Sequence, residues 1–324
     1  MQLNNDYKYM VSIYMTTYYH EKYVREAIES ILSQNVNFKY EIVISDDCSG
    51  DKTQQIIKEY EKKYSFIKVN INEDNIGLSK NMFLAKSLCT GKYIIPLSGD
   101  DYWIDNNKLQ RQVDFLEKHL EYIGVTTRLE ARSEDSGEYY YTLPSIKECN
   151  KKFCVDDYIA GKNFPMNGML MRNVIDENYE MFSAMPRISK YIDDVTDCLF
   201  ILTLGDIYIS DEVTVAYRLR IAKKGEHNFN SINTGLSKFE KIISLLNNLD
   251  KYFDGKYDLF NRYRKVIASA LYRYYRPQYK KDFNKIINTI PEKYKKRNLM
   301  LKSFLYIPQK AIEVIKRKYC KQGG

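Results

Sequence analysis

The chain has 324 residues, 44% of them hydrophobic, which is enough for a sizeable buried core in one or two domains. Its six cysteines are scattered without a Cys-x-x-Cys pair, so neither a zinc site nor a redox motif is indicated, and a reducing cytoplasm is expected. Charge is divided unevenly: residues 236–324 hold 22 Lys/Arg and 7 Asp/Glu, a net charge of +15, so residues 1–235 carry −7 of the total of +8. The polar N-terminus lacks the apolar stretch of a signal peptide, and the longest apolar run, Cys198–Leu204, is too short to span a bilayer.

Strands and helices alternate along the first 120 residues. Short apolar runs predict buried strands at Met10–Met15, Tyr40–Ser45, Ile67–Ile71 and Tyr93–Leu97. Amphipathic or capped segments between and after them predict helices at Glu21–Gln34, Lys52–Lys63, Ser79–Cys89 and Asn106–Lys118, with Ser79 as the cap of the third. This alternation predicts an α/β fold with a doubly wound, mostly parallel sheet. No Gly-x-Gly-x-x-Gly or Walker sequence is present, which argues against the usual dinucleotide and P-loop sites.

Acidic residues follow two of these strands, at the edge where an open α/β sheet binds its ligands. Asp46 and Asp47 follow the second strand, and Asp100 and Asp101 follow the fourth after a small Ser-Gly turn. Two adjacent carboxylates repel one another unless a cation lies between them, and a hard divalent cation bound to phosphate takes such ligands. A solvated acidic loop is the alternative interpretation, because carboxylates are common in turns.

The strand ends together suit a pyrimidine nucleoside diphosphate. Tyr18, after the first strand, could stack on the base, and Asp47 could accept a hydrogen bond from its imide N–H. Asp100 could hold the diphosphate through a cation. For Asp47, a cap on the N-terminus of the following helix is the alternative role.

Five blocks of the first 110 residues have a highly specific order and spacing. They are Val11–Tyr18, His20–Gln34, Glu41–Thr53, Asn75–Gly77 with Asn81, and Gly91–Asp101. In these blocks the chain resembles the family 2 glycosyltransferases, which have the GT-A fold. The resemblance implies an inverting enzyme that moves a sugar from a nucleoside-diphosphate sugar to a hydroxyl acceptor. It also implies a divalent cation, Mn²⁺ or Mg²⁺.

The resemblance also implies roles for individual residues. Thr17 and Tyr18 would line the pocket for the base, and Asp47 would bind the base. Asp100 would bind the metal, with Asp101 beside it. Further contacts with the nucleotide sugar are implied for Glu21, Lys80, Ser98 and Arg220.

Two positions depart from the family's pattern. Ser98 stands at the first position of the Asp-x-Asp motif, which removes a carboxylate near the sugar or the metal and leaves the choice of donor sugar open. Arg220 stands where many relatives carry a histidine. A guanidinium cannot ligate a cation, but it can pair with a diphosphate.

A second acidic pair lies further along the chain. Tyr191–Asp194 opens a predicted helix that ends at Gly205. Carboxylates in a first helical turn are favoured by the helix macrodipole, so a structural role is the alternative. The resemblance places the family's catalytic acid pair here, with Asp194 as the general base and Asp193 as its neighbour.

The chain is predicted to divide into a GT-A glycosyltransferase domain, residues 1–235, and a basic helical C-terminal extension, residues 236–324. Basic amphipathic segments of the extension, in particular residues 302–318, predict binding to an anionic membrane surface or to a partner helix. No nucleic-acid-binding motif accompanies them, so no nucleic-acid partner is expected. Packing of the extension on the core, as a cap or as the interface of a homodimer, is the alternative.

These observations predict a cytoplasmic glycosyltransferase, peripheral at the inner face of the cell membrane. The resemblance implies a lipid-linked or growing cell-surface glycan as its acceptor. Two other functions are compatible with the same sheet and carboxylates: a nucleotidyltransferase acting on sugar phosphates, and a non-catalytic subunit that binds a nucleotide sugar.

Overall fold

The computed structural model describes residues 7–189, 193–219, 235–259, 261–264, 266–268 and 280–295. The described residues form two compact units. The first comprises those of Met1–Val155 and Asn163–Ile221, and the second those of Asp156–Lys162 and Ala222–Gly324. All of the strands described below belong to the first unit. The predicted domain boundary at residue 235 stays a prediction.

The secondary structure follows the predicted alternation of strands and helices. The strands are β1 (Val11–Thr17), β2 (Tyr40–Asp46), β3 (Ile67–Ile71), β4 (Tyr93–Ser98), β5 (Tyr102–Trp103), β6 (Tyr122–Ser133), β7 (Tyr139–Leu143), β8 (Lys151–Phe153), β9 (Leu170–Arg172) and β10 (Asp206–Leu219). The helices between these strands in chain order are α1 (Val24–Leu32), α2 (Thr53–Lys63), α3 (Leu78–Ser87), α4 (Lys108–Lys118), α5 (Val155–Ile159), α6 (Tyr179–Ile188) and α7 (Asp193–Leu204). Apart from Val155, the residues of α5 belong to the second unit. A 3₁₀ turn covers Ile146–Glu148.

The strands form one mixed sheet in the order β3-β2-β1-β4-β9-β6-β10-β5, with β7 paired to β6 and β8 paired to β10. The block β3-β2-β1-β4 is parallel throughout, and β6 is parallel to β10. The short strands β5, β7, β8 and β9 pair antiparallel to their neighbours. The predicted α/β fold with a doubly wound sheet is therefore confirmed, with antiparallel additions around a parallel core.

The core lies on the faces of the parallel strands, because these strands are buried on both sides. The β1 residues Val11, Ile13 and Met15 are fully buried. They belong to the same cluster as the apolar face of α1, which includes Val24 and Ile28. At roughly 25 cal/mol per Å² of apolar surface removed from water, such packing is the main source of stability for the sheet.

A buried polar network joins α4 to the strands beside it. The Lys108 ammonium donates to Gln112 Oε1 at 2.7 Å and to the Gly168 carbonyl at 2.9 Å. Gln112 also donates to Gly168 and to the carbonyl of Val125. Complete burial lowers the pKa of Lys108 to about 7, because desolvation disfavours the charged amine.

The start of α3 differs from the prediction. Ser79 was predicted to cap this helix, and that prediction is wrong. The helix begins at Leu78 after Gly77, whose φ of 87° lies in the region that favours glycine. Ser79 is buried within the helix. Its hydroxyl has no hydrogen-bond partner among the residues that the structure describes.

The second unit is helical in its described parts. Its helices include Gly235–Tyr252, Lys280–Asn288 and Glu292–Lys295. Arg262 lies over the ring of Tyr158 at 3.5 Å from the centroid, and the Tyr294 hydroxyl donates to Asp250 at 2.6 Å. Among the described helices, none combines the length and the apolar composition that crossing a membrane requires. The basic segment 302–318, on which the predicted membrane association depends, lies outside the described residues.

Candidate active site

Three parallel strands end together at one edge of the sheet. In the strand register, Thr17 of β1 lies opposite Asp46 of β2, and Thr16 lies opposite Ser98 of β4. The loops that follow these strands therefore meet, as the carboxyl ends of neighbouring parallel strands must. The structure thus brings most of the predicted donor-binding residues to this edge.

Asp46 organises the loop after β2. Its carboxylate is fully buried and accepts hydrogen bonds from the Thr17 hydroxyl at 2.7 Å and from the Ser49 hydroxyl at 2.6 Å. The Ser49 amide and the Gln54 side chain donate to its other oxygen. Thr17, predicted to line the base pocket, is itself buried, and its hydroxyl donates to Asp46. Its contact with a ligand stays a prediction.

Asp47 does not cap α2, which begins at Thr53. Its buried carboxylate accepts the backbone N–H groups of Ile76 at 2.8 Å and Gly77 at 3.0 Å. Asn72 also donates to it, at 3.3 Å. Asp47 therefore holds the loop before α3 at the ligand edge. From the sequence, only a contact with the base or a helix cap was expected for this residue. Its predicted contact with a base is untested.

Aromatic and acidic side chains surround the mouth of this edge. Tyr18 is 46% exposed and makes an edge-on contact with Tyr19, their centroids 4.7 Å apart. An exposed ring at this position is free to stack on a planar base. Glu21 accepts the Lys52 amide at 3.0 Å and so stabilises the start of α2. Lys80 is exposed on α3. The predicted donor contacts of these residues remain predictions.

Gly99 is required at the turn after β4. A Cβ atom there would lie 2.6 Å from Thr17 Cγ2 and 2.8 Å from His20 Nδ1, both closer than real contacts allow. The missing side chain lets His20 pack against the turn, with its Nε2 3.8 Å from Asp100 Oδ2. His20 was not among the predicted site residues, because nothing local in the sequence places it beside Asp100.

The two carboxylates after this turn have different environments. The Asp100 side chain is 40% exposed and accepts a hydrogen bond from the Ser98 hydroxyl. Asp101 is 1% exposed, and its oxygens accept the Arg218 amide at 2.9 Å and the Asn167 side chain at 2.6 Å. Burial, reinforced by the charge of Asp100, raises the pKa of Asp101 well above its usual range.

This difference bears on the predicted metal site. Asp100 offers an accessible, hard oxygen ligand, whereas both oxygens of Asp101 already have protein donors. Within the described residues, no cluster of three or more His, Cys, Asp or Glu side chains could hold a metal ion. The residues fit a cation that takes one protein carboxylate and completes its shell with phosphate and water oxygens, as Mg²⁺ does. Asp100 is the better candidate of the two.

Arg218 is a further component of the edge that sequence reasoning missed. Its guanidinium donates to the Asp100 carbonyl at 2.5 Å, pairs with Glu26 and lies 4.4 Å from the ring centroid of Tyr102. Its backbone amide holds Asp101. The side chain of Arg218 is 11% exposed. Its contacts connect β10 with α1, through Glu26, and with the turn after β4. The only signal in the sequence was its place in the Tyr-Arg-x-Arg end of β10.

The predicted catalytic pair lies at the start of α7, whose first residue is Asp193. Asp194 is exposed and accepts the amide of Val195 at 2.9 Å. The side chain of Asp193 and all of Arg220 lie outside the described residues. The roles of all three stay predictions, and both carboxylates are electrostatically favourable at a helix N-terminus.

Comparisons with known proteins agree with this arrangement. The family model described as glycosyl transferase family 2 matches residues 12–178. EpsE of Bacillus subtilis is 38% identical over 139 residues, which are 43% of this chain and 49% of EpsE. TuaG of the same species is 32% identical over 111 residues, or 34% of this chain and 43% of TuaG. The matched region thus spans less than half of the length of these relatives.

The structural comparison extends over nearly the whole chain. The crystal structure of residues 1–349 of Staphylococcus aureus TarS in complex with UDP has a TM-score of 0.59 and 17% sequence identity. The similarity covers 97% of this chain and 92% of that one. A TarS structure in complex with UDP-GlcNAc has a TM-score of 0.57. At these identities the likeness concerns the fold alone, and with the sheet order it confirms the predicted GT-A fold.

Proposed function

The chain belongs to glycosyl transferase family 2, and we propose on that premise that it transfers a sugar from a nucleoside-diphosphate sugar to a hydroxyl group of an acceptor glycan. One observation carries the proposal. The carboxylates of Asp47 and Asp100 and the exposed ring of Tyr18 meet at the carboxyl edge of the sheet, where α/β folds bind nucleotides.

The donor would lie along this edge. The ring of Tyr18 would stack on the base, and Asp47 and the loop that it holds would contact the base edge. Ser98 donates its hydroxyl to one oxygen of the Asp100 carboxylate, and the other oxygen, which lies nearer His20, would face the diphosphate. A divalent cation bound to Asp100 would neutralise negative charge on the departing diphosphate.

The reaction would be a single displacement. Asp194 would take the proton of the acceptor hydroxyl, whose oxygen forms a bond to the anomeric carbon. The bond between that carbon and the diphosphate oxygen breaks, and the nucleoside diphosphate leaves with the electron pair. Because attack comes from the face opposite the leaving group, the configuration of the anomeric carbon inverts.

The relatives support a particular donor and acceptor class. TarS structures contain UDP and UDP-GlcNAc, and TuaG is named for teichuronic acid biosynthesis. We therefore propose a UDP-sugar donor and a cell-surface polysaccharide, carried on a lipid or on a growing chain, as acceptor. The net charge of +15 in residues 236–324 supports association with the anionic inner face of the membrane.

A panel of nucleotide sugars tests the proposal. The true donor should raise the melting temperature in the presence of Mn²⁺ or Mg²⁺, and a ligand at one hundred times its Kd stabilises by about 2.7 kcal/mol. With acceptor present, the same donor should release a nucleoside diphosphate. Release of pyrophosphate from a nucleoside triphosphate would identify a nucleotidyltransferase instead. Binding without turnover on any acceptor would point to a non-catalytic subunit.

A further inference from the structure

A buried ion pair connects two helices of the first unit. The ammonium of Lys86, on α3, pairs with the carboxylate of Asp197, on α7, and both side chains are 0% exposed. The ammonium also lies 5.5 Å from the ring centroid of Tyr14 and 5.8 Å from that of Phe182. Nothing local in the sequence indicates this pair, since an isolated lysine in a helix is usually solvated.

Burying this ion pair carries a large desolvation penalty. Removing two charges from water costs more than their attraction returns unless every polar atom is satisfied. Asp197 Oδ1 is buried and has no hydrogen-bond partner among the described residues, and the same holds for the hydroxyl of the adjacent Thr196. An apolar pair of the same volume would serve stability at least as well, so the ion pair calls for another explanation.

The N-terminus of α3 lies at the candidate active site, and the N-terminus of α7 carries the proposed base. Asp47 accepts the amides of Ile76 and Gly77, so the residues before α3 are held at the ligand edge. Asp194, the proposed base, lies in the first turn of α7, three residues before Asp197. Residues three apart on a helix share a face, and they are separated by about 4.5 Å along the axis.

We infer that Lys86 and Asp197 are positioning residues, which fix the rotation of α7 so that Asp194 is presented at the correct place relative to the bound donor. This inference rests on the proposed function. Unlike apolar contacts, an ion pair has a definite partner atom and so selects one rotational setting of the helix.

The geometry sets the expected size of the effect. A carboxylate reaches about 6 Å from the axis of its helix, so a rotation of about 20° moves it by about 2 Å. A misplacement of about 1 Å can reduce turnover by about 10²-fold. Donor binding should change little, because Asp197 makes none of the hydrogen bonds that hold the loops after β1, β2 and β4.

The test uses the full chain with both partners replaced. Lys86→Met together with Asp197→Leu removes both charges and nearly keeps the number of side-chain heavy atoms. The control is Glu41→Gln, which alters another fully buried, ion-paired carboxylate, held by Lys68 and Ser12 near the opposite end of β1 and β2. Melting temperature, Kd for the nucleoside diphosphate, and kcat for its release from the donor are measured for each variant, with water as the acceptor.

For the double variant we expect a melting temperature close to that of the unchanged chain, a Kd within about twofold, and a kcat at least about tenfold lower. For Glu41→Gln we expect a lower melting temperature and an unchanged kcat. If the double variant does not fold, Asp197→Asn, assayed below its own unfolding transition, should show the same separation of kcat from Kd.

A folded pair variant that keeps the kcat of the unchanged chain would overturn the inference and leave the proposed function intact. A lower kcat together with a comparably higher Kd would also overturn the inference, because a general structural role produces that pattern. Absence of turnover by the unchanged chain with every nucleotide sugar and acceptor would overturn the proposed function and the positioning role together.

Discussion

Replacing Asp100 by asparagine should reduce the affinity for nucleotide, whereas replacing Asp101 by asparagine should reduce the stability of the fold. Asp100→Asn removes the one accessible carboxylate at the turn but keeps an oxygen that can accept from Ser98. Its side chain is 40% exposed, so stability should change little. The affinity for a nucleoside diphosphate in the presence of Mn²⁺ should fall at least about tenfold, which corresponds to about 1.4 kcal/mol.

Asp101→Asn should act on stability instead. Asp101 accepts from the Arg218 amide and from Asn167, and an asparagine amide can accept through only one of its two polar atoms. One buried donor is then left unpaired, at a cost of about 1–3 kcal/mol. For a unit of this size each kcal/mol lowers the melting temperature by about 2–4 °C. A decrease of roughly 2–12 °C is therefore expected.

Calorimetric titration with UDP, with Mn²⁺ and again with a chelator, separates the two variants, and thermal melts without ligand supply the second measurement. Asp100→Asn should bind equally under both conditions, whereas Asp101→Asn should retain the dependence on the cation. If Asp101→Asn loses the cation dependence and Asp100→Asn keeps it, the assignment of the metal ligand from burial and hydrogen bonding is wrong.

Three other outcomes are expected. Asp194→Asn should retain donor binding while kcat falls by about 10²–10⁴-fold, and a mild effect there with a severe one for Asp193→Asn would shift the base by one position. Because the pKa of Lys108 is lowered to about 7 from 10.5, the unfolded chain holds a proton that the folded chain has lost between these values. The free energy of unfolding should therefore rise from about pH 7 to pH 9, by up to about 1.4 kcal/mol per unit, and Lys108→Met should lack this slope in denaturant titrations. The full chain should sediment with anionic vesicles at low salt and dissociate at high salt, whereas a chain ending near Thr234 should stay in solution; indifference of the full chain to vesicles would favour packing of the extension on the core.

Much of the architecture could be predicted from the sequence because its signals are local. Buried parallel strands appear as continuous apolar runs, and the predicted bounds of the first four strands agree with the structure to within two residues at each end. The edge where ligands bind could be predicted from the same alternation, because the loops that follow parallel strands all lie at the carboxyl ends of those strands. The polar, charged and tyrosine-rich composition of residues 130–141 favours a hairpin or a flexible loop, and in the structure these residues lie in the hairpin of β6 and β7.

The tertiary structure decided what the individual side chains do at that edge. Asp100 and Asp101 are indistinguishable in sequence. Their carboxylates differ because the backbone amide of Arg218, 117 residues away from Asp101, and the side chain of Asn167 donate to the carboxylate of Asp101 and not to that of Asp100. Lys86 similarly meets Asp197 across 111 residues. Periodicity shows which face of an element is apolar, but the partner, and with it the burial and pKa of a charged group, depends on which distant segments the fold brings together.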